Sequence, residues 1–303
     1  MHLLRAYILA VGYDYVMLLE KNSHLDATTT LLGNAERGTA MLSSLKTRPE
    51  GTYRFFGSLN NSDLIVLLLY NPGATVTLLA SPLVREQEIP QITALLNEAI
   101  QHPHGCRVTL AQTVIQTNDC LLTQAFIQTG FSKLAVLHFL EQTKHAKQIK
   151  MPSGLSFTPL TREDDELLGT ILEETYVNSL DCPNIHGLRA VQDIIDGHRG
   201  ADTTSTQLWS IAELENKKIG VVLLNSFPKM KQIELAYVGL SPTARGNNLG
   251  NACMQHIANQ ISELPFSRVT LAVDSENIPA KKLYKKWNFK KIKQRLTLIK
   301  KLL

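Results

Sequence analysis

Residues Ile233 to Met254 read IELAYVGLSPTARGNNLGNACM, and the folding of this stretch decides the reading of the rest. An apolar run ends at Leu240–Ser241–Pro242. A loop carrying Gly246 and Gly250 follows, and a helical pattern begins at Leu249. A strand that passes through such a loop into a helix leaves backbone N–H groups unpaired at the helix N-terminus. Those donors and the helix dipole favour an anion such as a pyrophosphate. The glycines let the backbone approach closely, and Arg245 adds positive charge. Taken alone, the loop reads equally well as a helix cap with two incidental glycines.

The flanking sequence supplies the setting. Leu155 to Phe157 is a strand. Thr161 then opens a helix over 162–178, with Glu163, Asp164 and Asp165 in its first turn. A loop with Pro183, Asn184 and Gly187 leads to a second helix ending near His198 and Gly200. Three strands (Gln207–Leu214, Lys218–Leu224, Gln232–Leu240) are separated by hairpin-type breaks. Next come a helix (Leu249–Glu263), a strand (Arg268–Val273), a helix (Pro279–Trp287) and a strand (Lys291–Leu298). This order predicts an α/β (α+β) fold, a mixed, mostly antiparallel sheet flanked by helices.

The first half repeats the pattern. RVTLA occurs at Arg107–Ala111 and again at Arg268–Ala272. Each copy leads through a polar loop and a short helix to an aromatic residue, Phe131 in LLTQAFIQTGF and Phe289 in PAKKLYKKWNF. A polar, basic stretch, TKHAKQIKMPS from Thr143 to Ser153, reads as a linker. We therefore expect two similar domains in tandem, 1–145 and 153–303. A chain of 303 residues is long enough for both.

Composition narrows the class. A formal charge of +4 lacks the imbalance of a dedicated nucleic-acid binder. Four scattered cysteines, Cys106, Cys120, Cys182 and Cys253, read as reduced thiols of a cytoplasmic protein. The apolar start, MHLLRAYILAVGYDYVMLLEKN, is interrupted by Asp14 and too short to span a bilayer, so it reads as a core strand or helix.

ARGNNLGNA resembles the acyl-CoA signature of the GNAT (Gcn5-related N-acetyltransferase) superfamily, [QR]-x-x-G-x-[GA]. Arg245 takes its first place and Gly250 its last. Asn248 replaces the inner glycine, and Asn is the non-glycine residue that best tolerates positive φ. VTLAVDSENIPAKKLYKKWNF, Val269 to Phe289, resembles the family's second element, with Asn288 in place of a glycine. The resemblance implies acetyl-CoA as co-substrate and no metal. It assigns the pyrophosphate to Arg245, Gly246, Asn247, Asn248, Leu249, Gly250 and Asn251. It assigns the thioester carbonyl to N–H groups near Val238, Gly239 and Leu240, and the pantetheine arm and its helix to Asn277, Ala280 and Tyr284. The tandem arrangement is similar to that of mycothiol synthase-like proteins.

Transfer from a thioester to an amine needs a neutral amine, a stabilised oxyanion and a protonated leaving thiolate. The resemblance places Glu234 as base and Tyr284 as acid. Read as bare residues, Glu234 fits an exposed strand position and Tyr284 a core aromatic. In the first copy Tyr284 is matched by Phe126, and SPLVREQEIPQITALL from Ser81 has no glycine and carries Glu86 and Glu88. This half is expected to have lost CoA binding. The expected activity is N-acetyl transfer to a primary amine; the alternative is a non-catalytic acyl-CoA sensor or interaction protein. A homodimer stays open, and no membrane partner is expected.

Three further features are weighed. Asp181 and His186 lie in the loop between the first two helices of the second half, read as a capped turn or as part of the acceptor site. His102, His104 and Cys106 are spaced for a metal but lack further ligands. Lys281, Lys282, Lys285, Lys286, Lys290, Lys291, Lys293, Lys300 and Lys301 read as a solvated basic face, or as a patch that attracts the CoA phosphates; a nucleic-acid face lacks the aromatic interleaving it would need.

Overall fold

The computed structural model describes residues 8–11, 14–58, 61, 63–102, 105–143, 149–200, 208–262 and 264–302. His104, Gln207, Glu263 and residues 144–148 of the expected linker lie outside them. Contacts divide the chain into two compact units, Met1–Lys133 with Leu296–Leu303, and Leu134–Arg295.

The first half runs β1 (Ile8–Val11), β2 (Asp14–Leu18), α1 (His24–Leu32), α2 (Ala35–Leu45), β3 (Tyr53–Ser58), β4 (Ile65–Asn71) and β5 (Thr75–Ala80). It continues with α3 (Ile89–Gln101), β6 (Leu110–Ile115), α4 (Cys120–Gln128) and β7 (Ser132–Gln142). The second half runs β8 (Leu155–Pro159), α5 (Asp165–Tyr176), α6 (Val191–Arg199), β9 (Ser210–Leu214), β10 (Lys217–Phe227) and β11 (Gln232–Leu240). Then follow α7 (Leu249–Ser262), β12 (Arg268–Asp274), α8 (Ile278–Lys286) and β13 (Lys290–Lys301). Within the apolar N-terminal stretch, the described residues 8–11 and 14–18 form strands. Each unit holds a mixed, mostly antiparallel sheet that includes a parallel pair, β5 with β6 and β11 with β12.

The last strands are exchanged. β7 follows the first unit's final helix, yet it pairs antiparallel with β12, from Gln142–Val269 to Leu137–Asp274. β13 in turn pairs antiparallel with β6, from Ile115–Leu296 to Leu110–Lys301. A cut at residue 145 therefore does not follow the compact units. The sequence has no signal for this, because the two strands hold equivalent places in the repeat.

The repeat has a different frame from its most visible string. Asp119 caps α4 through the Leu122 N–H, and Asn277 caps α8 through the Ala280 N–H. Phe131 N–H donates to Phe126 O, and Phe289 N–H to Tyr284 O, both at 3.0 Å. In that frame Arg268 matches Leu110, and these residues also begin the two parallel pairings. The RVTLA copies, which would match Arg268 with Arg107, are out of step with the structure. The duplication is real, but that string does not align it.

In the second unit the sheet has two covered faces. Val222, Leu224, Ile233 and Leu235 pack with α7 residues Cys253, Met254 and Ile257 and with Tyr284, Trp287 and Phe289. Val221 and Leu223 pack on the other side with α5 residues Leu168, Ile171 and Leu172, with Ile195 of α6, and with Trp209. Alternation along a strand sends successive side chains to opposite faces, which builds both layers from one apolar run.

Candidate functional site

The site grows from an irregularity in β11. Its register with β10 slips so that Leu223 faces Tyr237 while Leu224 faces Leu235, leaving Ala236 as the extra residue of a bulge. Ile233 and Leu235 point to the α7 face, as do Val238 and Leu240 beyond the bulge. Glu234 therefore points to the α5 face, and the bulge turns Tyr237 to that same face, against Leu168 and its neighbours. A regular strand would have sent Tyr237 the other way.

The parallel pairing of β11 with β12 stops at Glu234–Thr270. Among the described residues, the strand from Leu235 to Leu240 pairs with β10 alone. The two strands splay from that point, and the wedge leads to the loop before α7. Gly239 lies along it. A Cβ there would stand 2.6 Å from the Tyr237 hydroxyl and 2.8 Å from Cβ of Thr175, so no other residue fits.

The loop itself turns on two left-handed residues, Gly246 (φ 80°) and Asn248 (φ 62°). Asn288 also takes positive φ, 62°, so both asparagines that replace signature glycines adopt the glycine conformation. Asn248 Oδ1 accepts from the Asn251 amide, and Asn251 Oδ1 accepts from Trp287 Nε1 at 3.0 Å. The loop is thereby tied to the core under α8. Gly250 lies against α8, where a Cβ would stand 3.1 Å from Leu283 Cδ2. Among the described residues, no acceptor engages the backbone N–H groups of Gly246, Asn247, Asn248, Leu249 or Gly250. Five consecutive free donors at the start of a 14-residue helix fit an anionic group such as a pyrophosphate.

Arg245 is placed differently from the sequence expectation. Its guanidinium does not stand free beside these donors. Nε donates to Leu240 O (3.0 Å), Nη1 to Val177 O (2.8 Å) and Asn178 O (2.9 Å), and Nη2 to Thr175 O (2.7 Å). It holds the carbonyl end of α5, where a cation also opposes the helix dipole. The partners lie far back in the chain, so no local pattern announces this role.

Glu234 is half-buried opposite Asn225 of β10. Burial pushes its carboxyl above the usual carboxylate range, and a hydrogen bond with the Asn225 side chain works against that rise. Tyr284 is 6% exposed, packs against Phe289, and has no hydrogen-bond partner among the described residues. Burial raises its phenol pKa, and the negative forms of Asp181, Cys253 and Tyr237 raise it further.

Asn277 faces two tasks already. Its Oδ1 caps α8, and its side chain also bonds Asp181. Asp181 accepts from the Asp274 N–H at 3.1 Å, and Asp274 accepts from the Cys182 N–H at 3.2 Å. This reciprocal clasp fixes the loop between α5 and α6 to the end of β12. Burial raises the Asp181 pKa; the hydrogen bond from the Asp274 N–H works against that rise, and the Asp274 charge adds to it. His186 stacks on Tyr176 with centroids 4.9 Å apart, and Tyr176 meets Tyr237 edge-on at 5.6 Å. The Tyr237 hydroxyl lies 2.8 Å from that of Thr175. Burial pushes the Tyr176 phenol up to about 12 and His198, 6.1 Å from Tyr237, down to about 4. Sequence reasoning missed this aromatic wall because its members come from α5, a loop, α6 and β11.

The first unit handles the equivalent loop with its own carboxylate. Glu88 Oε2 accepts from the Val84 and Arg85 N–H groups (2.8 and 3.1 Å), and Oε1 from the Arg85 guanidinium. These bonds hold the Glu88 pKa below its usual range. Thr77 stands where the second unit has Glu234, by the matched parallel pairings. His102 is used by Arg54, 3.0 Å from its Nδ1, and packs on Phe56. Among the described residues no group of three His, Cys, Asp or Glu is placed to hold a metal, and no helix is long and apolar enough to cross a membrane.

The profile of the Acetyltransferase (GNAT) family matches residues 172–289. That span runs from the end of α5 through the wedge, the loop and α8. A GCN5-related N-acetyltransferase from Sphaerobacter thermophilus shares the fold at 12% identity and TM-score 0.63, covering 97% of both chains. A tandem GNAT protein from the clavulanic acid biosynthesis pathway matches at 14% identity and TM-score 0.54, over 94% of this chain and 98% of that one. A putative acetyltransferase from Pyrococcus horikoshii matches at 9% identity and TM-score 0.51, over 97% and 92%. No curated protein matches by sequence. Residues 172–289 thus match the Acetyltransferase (GNAT) family, and the chain as a whole shares the fold of a tandem GNAT protein.

Proposed function

We propose that the second unit transfers an acetyl group from acetyl-CoA to a primary amine by direct attack. The observation that carries this reading is the run of free donors from Gly246 to Gly250 at the mouth of the β11–β12 wedge. In this reading the donors hold the pyrophosphate. The wedge takes the pantetheine arm past Ala280, and N–H groups of Val238, Gly239 and Leu240 face the thioester carbonyl. The amine nitrogen forms a bond to that carbonyl carbon while Glu234 takes its proton, directly or through water. The carbon–sulfur bond then breaks, and the departing thiolate takes the Tyr284 proton. A lysine-like amine has a pKa of about 10.4, so a base is useful at neutral pH. The raised Glu234 pKa brings it closer to that task. The acceptor enters on the α5 side, between Tyr176, His186 and Tyr237. The first unit serves as a partner that binds no acyl-CoA, since Glu88 fills its loop. All four cysteines are free thiols, which suits a reducing cytoplasm.

Calorimetric titration with acetyl-CoA and with CoA tests the reading first, followed by CoA-thiol release across an amine panel. One saturable site per chain, lost in Gly250→Glu, and amine-dependent thiol release support it. Absence of binding to either ligand overturns it.

A further inference from the structure

We propose that Arg245 is a positioning residue that couples the cofactor loop to the acceptor side, so that binding at the loop orders the α5–α6 segment. The inference rests on the acyl-CoA reading of the loop. Its basis is the four bonds from one guanidinium to Leu240, Thr175, Val177 and Asn178. Arg245 immediately precedes the run of free donors, and the next residue is the left-handed Gly246. Any ligand that fixes the donors of Gly246 and Asn247 fixes the peptide that bears the Arg245 side chain.

The far end of the clip is a segment with little regular structure to hold it. α5 stops at Tyr176, and Asn178 and Cys182 both take positive φ, 54° and 45°. Two non-glycine residues in that region cost conformational energy, so the segment needs outside support. Its downstream end has the Asp181–Asp274 clasp. Its upstream end has Arg245. The residues held there bear the acceptor wall: the Thr175 hydroxyl meets Tyr237, and the Tyr176 ring carries His186. A planar fork with five N–H donors can bridge strand end, helix end and turn at once, whereas a lysine ammonium presents three donors from one point. Anion binding and acceptor-wall order then share a coupling free energy, and each favours the other.

Hydrogen exchange on the full chain, with free CoA as the probe, tests this in wild type, Arg245→Met and Arg245→Lys. In wild type, CoA is expected to slow exchange both at 246–250 and at 175–186. In Arg245→Met the unliganded exchange of 175–186 rises at least tenfold. CoA still protects 246–250 with its Kd within about threefold of wild type, but no longer protects 175–186. Arg245→Lys falls between the two. If Arg245→Met unfolds, seen as faster exchange throughout β4 and β10, the lysine variant decides by the same comparison. Unchanged exchange at 175–186 in the variants overturns the proposal. So does a CoA Kd weakened more than tenfold with protection lost at 246–250, which makes Arg245 an anion ligand. Wild type that binds CoA without protecting 175–186 overturns the coupling and leaves the acyl-CoA reading standing; wild type that binds no CoA overturns that reading itself, and the coupling with it.

Discussion

Glu88 grips Arg85 from both ends, with one carboxylate oxygen on its guanidinium and the other on its backbone N–H. In the proposed reading the carboxylate takes the place of an incoming phosphate, and its bond to the guanidinium is a strong one between charged partners. The first unit's loop is thus closed by its own anion. The chain is expected to bind one acyl-CoA, not two, in calorimetry. Gly250→Glu is expected to abolish that binding, since it presses on Leu283 and sets a carboxylate among the donors. A second site surviving in that variant would contradict the assignment.

Glu234→Gln should lower kcat/KM by about 10²- to 10⁴-fold if the carboxylate is the base. The acid limb of the wild-type profile should lie above the ordinary carboxylate range, because burial raises the Glu234 pKa. The same shift has a stability consequence. A raised folded-state pKa gives stability that is present in acid and lost as pH rises through that value. Glu234→Gln removes the loss, so its Tm should exceed that of wild type at pH 7–8, and the gap should close towards acid. Thermal unfolding across that range measures it.

For Tyr284, burial keeps the phenol protonated at neutral pH. Tyr284→Phe keeps the packing against Phe289 and removes only the proton donor. Its kcat is expected to fall by about 10²-fold or more while the Kd of acetyl-CoA stays near wild type. Equal kcat would make Tyr284 a packing residue and return the role to water.

Asn288 and Asn248 test backbone chemistry. With φ at 62°, Asn288→Gly should be near neutral in denaturant unfolding, and Asn288→Ala should cost about 1–2 kcal/mol. Asn248→Ala should cost more than this strain alone, since it also releases the Asn251 amide. Equal stability of the alanine and glycine variants would count against the strain argument.

Much of this was readable before any coordinates. The strand–loop–helix reading from Ile233 to Met254 and the tolerance of Asn248 for positive φ depend on local chemistry, and the structure has both in place. What stayed hidden depends on partners distant in the chain. Arg245 looks like a phosphate ligand until the carbonyls of Thr175, Val177 and Asn178 are found around it. Tyr237 joins the Glu234 face only through a bulge at Ala236 that no residue type marks. RVTLA misled because identity of letters is not identity of register.

The crossing of β7 and β13 sets a timetable for synthesis on the ribosome. β6 has no partner on its outer edge until residues 296–301, far downstream, are available. The first unit must therefore wait for the second half, with an open strand edge that could capture another molecule in the meantime. A gene fragment ending at residue 145 would lack β13, and one beginning at 153 would lack β7, so each would lose the strand that covers β6 or β12 in the full chain.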